Sequence, residues 1–192
     1  TSITVGGRFV ASTTTAPNQH ISSLTSSKAI VFFSHSGNTY MRVVALSGTT
    51  ASSGGSTATL DSAAHDTSGS CGLSSTTALY AANNSKCYVV TESSGNLSVG
   101  TALTFGTMGS GGRGDVNVLK ISETSAAIFF AGNTGPTVQL LKISGTSVTL
   151  DGSAIQVSSS STDTTIDLLS TDRFITGFRT GATANAAVVI KT

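Results

Sequence analysis

A pattern of about 48 residues occurs four times along this 192-residue chain and constrains its fold more than any other feature. Each copy starts with an aliphatic residue, continues with a few hydroxyl-bearing residues and ends in a short apolar stretch. The aliphatic positions are Leu24, Leu73, Ile121 and Leu169, which lie 49, 48 and 48 residues apart. Repeats of this length are typical of proteins in which one supersecondary unit stacks on the next. We therefore interpret residues 1–192 as a single repeat domain of four units.

Each unit also contains a second apolar strand, a turn signal and a strand in which hydroxyl and apolar residues alternate. The second apolar stretches are residues 42–46, 88–90, 139–143 and 187–190. A Ser-Gly pair follows the first three of them, and such a pair marks a turn. Alternation with a period of two is typical of a half-buried strand. The sequence therefore predicts an all-β fold.

The last unit lacks its alternating strand at the C-terminal end, and a matching stretch stands at the N-terminus. Residues 1–7 align with residues 146–152 at a constant offset of 145. A propeller blade is commonly assembled from both termini, whereas a linear solenoid caps its two ends separately. We predict a small four-bladed β-propeller closed by the N-terminal strand, residues 1–12, which completes the last unit. Two alternatives stay open: two chains that join into an eight-bladed ring, and sheets of several chains that interleave in a trimeric fibre.

Composition excludes several classes of protein. Serine and threonine supply 63 of the 192 residues, yet 38% of the chain is apolar and the formal net charge is only +1. Disorder requires low hydrophobicity with high net charge, so a disordered Ser/Thr tract is excluded. Ten Lys and Arg against nine acidic residues create no positive field for nucleic acid. Apolar runs of about five residues are far shorter than the ~20 that cross a bilayer, so we expect no membrane insertion.

The N-terminus carries no basic segment followed by an apolar stretch, which a secretory signal would require. Thr1 is compatible with removal of an initiator Met from a complete product that is not exported. A trimmed export signal would leave the same N-terminus.

Residues with catalytic or metal-binding chemistry form no recognisable motif. Cys71 and Cys87 are too few for a disulfide framework and lack metal-ligand spacing, so we expect buried free thiols rather than a disulfide. The three histidines, His20, His35 and His65, occupy non-equivalent repeat positions, and none lies in a nucleophile-elbow context. We predict no cofactor, no metal and no enzymatic activity.

Three further patterns are explained by turns and chance. Asp61 and Asp66 could pair as glycosidase carboxylates, but turn formation accounts for them better. The triplet 113–115, Arg-Gly-Asp, resembles an integrin-recognition sequence and falls in an insertion that we expect to be an exposed loop. The glycosylation patterns at Asn83 and Asn96 are expected by chance in a chain one-third Ser and Thr.

The hairpin turns after the first apolar stretch should gather at one end of a propeller, where recognition usually lies. Their small polar side chains could hydrogen-bond sugar hydroxyls, although they are also ordinary turn formers. The candidate ligand-binding residues are His35, Asn38, Asn84, Asn133 and Arg179. A repeated lectin site would place the same aromatic and polar residues in every unit, and these turns do not, which weakens a glycan-binding role.

The order of motifs in each unit resembles the propeller-like repeats of virion tail and surface proteins of tailed bacteriophages. This resemblance covers essentially the whole chain. It implies an extracellular, non-enzymatic structural or adhesive role and supplies no functional residues. We therefore expect a bacteriophage virion component, a capsid decoration or tail-fibre module that binds other virion proteins through a propeller face, with homo-oligomers compatible with this role. The alternative is a small propeller lectin that binds host-surface glycans.

Overall fold

Every regular element in the computed structural model is a β-strand, as the sequence predicts. The described residues are 6–13, 16, 18–109, 115–159, 164–170, 172–180 and 183–190. They contain four antiparallel sheets, one for each repeat unit. Among these residues no helix is long and apolar enough to cross a membrane.

The main strands of each sheet follow one another in chain order. Sheet 1 contains β1 (Gln19–Thr25), β2 (Lys28–His35), β3 (Asn38–Ser47) and β4 (Thr50–Asp61). Sheet 2 contains β5 (Ser68–Gly72), β6 (Thr77–Ala82), β7 (Lys86–Ser93), β8 (Asn96–Val99) and β9 (Leu103–Thr104). Sheet 3 contains β10 (Val116–Ser122), β11 (Ser125–Gly132), β12 (Gly135–Ser144), β13 (Ser147–Leu150) and β14 (Ile155–Gln156). Sheet 4 contains β15 (Thr164–Ser170), β16 (Arg173–Thr180) and β17 (Thr183–Ile190).

The aliphatic repeat positions mark a β-bulge at the end of the first strand. Leu24, Ile121 and Leu169 are the residues left unpaired where the register of the first hairpin shifts in sheets 1, 3 and 4. The fourth position, Leu73, follows the end of β5 directly. The repeated sequence pattern therefore begins at the end of the first strand of each unit and continues through the second strand. The first strand itself was not predicted as a separate element.

The four sheets stack in chain order through apolar seams. We call the face of a sheet that points toward later sheets in the chain its front face, and the opposite face its rear face. The rear face of sheet 1 and the front face of sheet 4 are therefore the two outer faces of the stack. Front-face residues Ile30 and Phe32 of sheet 1 share a buried cluster with rear-face Tyr80 of sheet 2. An equivalent cluster that includes Leu79 and Ile128 joins sheet 2 to sheet 3. A third cluster, which includes Phe129 and Phe174, joins sheet 3 to sheet 4.

The first strands of successive sheets run side by side and approach closely at glycines of β5. A Cβ atom at Gly69 would lie 2.6 Å from the carbonyl oxygen of Val116 in β10. A Cβ atom at Gly72, which faces the other way, would overlap the carbonyl oxygen of Ser23 in β1. Strands β1, β5 and β10 can therefore pack backbone against backbone only because these positions lack side chains.

No sheet closes on itself, and sheet 4 has three strands in the described part of the chain. The N-terminal segment lies beside sheet 1: Gly7 forms a parallel bridge with Thr50, and its N–H donates to the carbonyl of Thr49 at 2.9 Å. Residues 1–5 of the predicted closing strand lie outside the described residues. The structure thus supports four repeated antiparallel sheets, and it leaves their closure into a propeller as an inference.

Candidate functional site

The candidate residues in sheet 1 flank a two-residue hairpin. His35 ends β2 and Asn38 begins β3, while Ser36 and Gly37 between them have φ values of 50° and 81°, as a type I′ turn requires. The His35 ring stacks on Tyr40 with centroids 4.4 Å apart. Asn38 donates to the Tyr40 hydroxyl at 3.3 Å. These two candidates therefore form a small aromatic and amide cluster beside the turn.

Two other candidates stand on sheets 3 and 4. Asn133 is exposed in the turn between β11 and β12. Arg179 lies within β16, paired with Ala184, rather than in the turn where we predicted it, because strand pairing continues to Thr180. The candidates therefore belong to four different sheets, as the repeat predicts.

The fifth candidate, Asn84, contacts two residues that sequence reasoning did not connect with it. Its Nδ2 atom donates to Asp61 Oδ2 at 3.1 Å and lies 2.9 Å from His65 Nε2. The Tyr88 hydroxyl donates to the same Asp61 oxygen at 2.6 Å. On the other side of the imidazole, Nδ1 lies 3.1 Å from Thr39 Oγ1. We call Asp61, His65, Asn84, Tyr88, Thr39 and Tyr80 the seam cluster, since it lies between sheets 1 and 2.

Burial and hydrogen bonding shift the pKa values of the seam cluster. Burial lowers the pKa of His65, against the opposing effect of the nearby Asp61 carboxylate. Burial acts to raise the pKa of Asp61, but the Tyr88 hydrogen bond, His65 and Asn84 outweigh it, and the net pKa is lowered. Burial is also the main reason why the pKa of Tyr80 rises to about 12. At neutral pH the cluster therefore contains an ionised carboxylate beside a neutral imidazole and two protonated phenols.

The spacing of Asp61 and His65 is the only sequence signal that could have revealed this cluster. The two residues are four apart, but they lie at a strand end and in the following connection rather than on a helix, so the spacing alone implies no contact. Asn84 joins them only through the stacking of sheet 2 on sheet 1.

A second feature is the open rear face of sheet 1. A cavity of about 890 Å³ lies between this face and the N-terminal segment, with Phe9 and Val10 on one side and Ile21, Val31 and Phe33 on the other. Arg42 lies over the Phe9 ring, 5.2 Å from its centroid, and donates to the Ala11 carbonyl at 3.4 Å. The segment is thereby held over the apolar face of the sheet.

Equivalent positions are more exposed on this face than on the corresponding face of sheet 3. The register places Ile143 in sheet 3 where sheet 1 has Leu46; Ile143 is 6% exposed and Leu46 is 41% exposed. Ile21 is 67% exposed. Leu169, whose counterpart Leu73 is fully buried, is 57% exposed on sheet 4. The two most exposed large apolar side chains, Ile21 and Leu169, thus lie on faces that no neighbouring sheet covers, although Leu150 and Ile155 of sheet 3 are also exposed.

The cysteines are free, as predicted, and both pack into the seam between sheets 2 and 3, where Cys87 is buried and Cys71 half-buried. Burial raises the pKa of Cys71 and of Cys87 to about 12. Within the described ranges no group of three or more His, Cys, Asp or Glu side chains could hold a metal ion. Of the Arg-Gly-Asp triplet, residues 113 and 114 lie outside the described residues.

Comparisons with known proteins assign no family. No protein-family model matches the chain, and no curated protein matches it significantly.

Proposed function

We propose that this chain is a non-enzymatic structural and interaction module. The observation that carries this proposal is the location of its most perturbed titratable groups. Asp61, His65 and Tyr88 hydrogen-bond to one another or to neighbouring side chains within a seam between sheets. Cys87 is buried and Cys71 half-buried, and both have raised pKa values. An active site would require such groups in a cleft open to substrate, whereas here they connect two sheets.

We further propose that the four sheets are the blades of a small propeller, in which the N-terminal segment acts as the fourth strand of the last blade. A repeated contact supports this. The residue after β8, Gly100, packs so closely on Thr146 in the next sheet's turn that a Cβ atom would overlap its carbonyl. Gly6 packs in the same way on Thr49, the equivalent turn residue of sheet 1. The N-terminal segment therefore contacts the turn of sheet 1 in the same way as the end of β8 in sheet 2 contacts the turn of sheet 3.

The faces that would meet on closure also match in size. In the seam between sheets 2 and 3, front-face Ala81 packs in the cluster of rear-face Phe130. The repeat alignment places Gly177 of sheet 4 at the position of Ala81 and Phe33 of sheet 1 at that of Phe130. A small residue would again oppose a phenylalanine, which favours close packing without overfilling the seam.

The biological setting that we propose is the virion of a tailed bacteriophage, as a capsid decoration or tail-fibre module that binds other virion proteins outside the cell. The resemblance of the repeat to phage propeller-like repeats supports it. A rigid set of short strands joined by tight polar turns suits a component that displays a binding face. The turn residues His35, Asn38, Asn84 and Asn133, with Arg179 beside them, remain the candidate contacts on that face.

The proposal is tested by sedimentation with purified tailed-phage particles and by a glycan array run on the same protein preparation. We expect the folded protein to co-sediment with particles and to bind no glycan. Heat-unfolded protein is the control for non-specific adsorption. Glycan binding without particle association would instead establish the lectin alternative and contradict the virion proposal.

A further inference from the structure

His65 occupies the connection between sheets 1 and 2 and contacts both of them. The residue is 1% exposed. Its Nδ1 atom lies 3.1 Å from Thr39 Oγ1 in sheet 1 and 3.2 Å from the Tyr80 hydroxyl in sheet 2. Its Nε2 atom lies 3.2 Å from Asp61 in sheet 1 and 2.9 Å from Asn84 in sheet 2. The imidazole is therefore a bridge with two contacts to each sheet.

Two groups at Nε2, Asn84 and Asp61, favour different positions of the ring proton. The backbone N–H of Lys86 donates to Asn84 Oδ1 at 3.1 Å, so the Asn84 amide group, a pure donor, points at Asp61 and His65. A proton on Nε2 would donate to Asp61 at 3.2 Å, whereas the 2.9 Å contact with Asn84 is a hydrogen bond only when Nε2 is unprotonated and the proton of the neutral ring lies on Nδ1. Thr39 can accept this proton, because its own hydroxyl donates to the Ala63 carbonyl at 2.8 Å.

We propose that His65 is an acid-sensitive latch between sheets 1 and 2, which holds Asn84 when neutral and releases it when a proton from solvent binds Nε2. The new Nε2–H would donate to Asp61 and face the N–H of Asn84, two donors at 2.9 Å. Asn84 must then turn away, and the Lys86 amide loses its acceptor. The turn between β6 and β7 would thereby separate from sheet 1.

Several titratable groups face His65 from the elements around it. They are Asp61 of β4, Tyr80 of β6, Lys86 and Tyr88 of β7, and Asp66 of the connection itself. Burial lowers the pKa of His65 below its ordinary 6.5 despite the two carboxylates. The stability contributed by the neutral ring is therefore complete above about pH 6.5 and is lost as the pH falls through the folded-state pKa. Because the pKa of Asp61 is lowered, the stability that its ionised carboxylate contributes is lost only at a pH below the range in which His65 is protonated.

The test is amide hydrogen exchange of Lys86 in the full chain, corrected for intrinsic exchange, at about pH 8 and about pH 5. In the wild type we expect exchange to be at least about tenfold faster at the lower pH. The control variant is His20→Gln, which removes another histidine whose pKa is lowered by burial, and it should behave like the wild type. His65→Gln should exchange fast at both pH values. Protection that does not change with pH in the wild type would overturn the latch.

A second measurement covers the case in which His65→Gln fails to fold. Long-range ¹H–¹⁵N correlation spectra of the wild type report the tautomer of each imidazole. We expect the Nδ1–H form for His65 at about pH 8, with Nε2 titrating below about pH 6.5. An Nε2–H tautomer at high pH would overturn the latch. The inference is independent of ring closure, since all of its contacts lie between sheets 1 and 2.

Discussion

Replacing Gly72 by valine is expected to lower the free energy of unfolding by about 3 kcal/mol or more, at the upper end of the cost of overpacking. Any Cβ atom at this position overlaps the Ser23 carbonyl of the neighbouring strand β1. Backbone cannot move aside as a flexible side chain would, so β1 and β5 must separate and open the seam between sheets 1 and 2. For a domain of this size the midpoint of thermal unfolding should fall by roughly 6–12 °C.

The matched control is Ser70→Ala, which changes the same face of the same strand two residues away. The Ser70 hydroxyl is buried and has no hydrogen-bond partner in the described part of the chain. Its removal should leave stability unchanged or slightly increased, because an unsatisfied polar group is lost without creating a large cavity. Equal destabilisation of both variants in denaturant titrations would contradict backbone contact at Gly72.

Deleting residues 1–12 is expected to destabilise the chain by about 2 kcal/mol or more, the free energy of burying one or two large apolar side chains. The segment covers the rear face of sheet 1, where Phe33 is only 4% exposed and Val44 8% exposed. Its removal also eliminates the Phe9 contact with Arg42. The loss is measured as a lower midpoint in calorimetry.

The control for the deletion is Val10→Ser in the full-length chain. Val10 is 49% exposed, so the loss of its side chain should change the unfolding midpoint little. If the deletion leaves the midpoint at the wild-type value, the N-terminal segment does not complete a unit. That result would remove the strongest support for the propeller.

The repeat was predictable because its spacing and its strands are both visible in local sequence. Val148 and Leu150 alternate with hydroxyl residues, and β13 lies where this alternation predicts it. The first strand of sheet 1 was missed because its residues are mostly polar and exposed: β1 reads QHISSLT and pairs through its backbone. This strand ends at the β-bulge at Leu24, and the local sequence has no periodicity that predicts the bulge.

The seam cluster was not predictable for a different reason. His65 and Asp61 are close in sequence, but Asn84 and Tyr88 reach them only after sheet 2 has stacked on sheet 1. A single sequence carries no signal for contacts between units that differ from the repeat consensus. Asn84 is the turn candidate whose side chain contacts His65, whereas the contacts from the β2–β3 turn come from its flanking residues Ser34 and Thr39 rather than from His35 or Asn38.

The central claim, closure of the four sheets into one ring, is tested most directly by nuclear Overhauser effects from the Ile175 δ1-methyl group. Ile175 lies on the front face of sheet 4, opposite in direction to the buried Phe174, and aligns with Leu79, which packs in the cluster of Ile128 and Phe130. Closure predicts intramolecular effects from this methyl to Val31 or Phe33 on the rear face of sheet 1, retained when labelled protein is diluted with unlabelled protein. Effects that are absent, or that appear only between differently labelled copies, would contradict a ring closed within one chain.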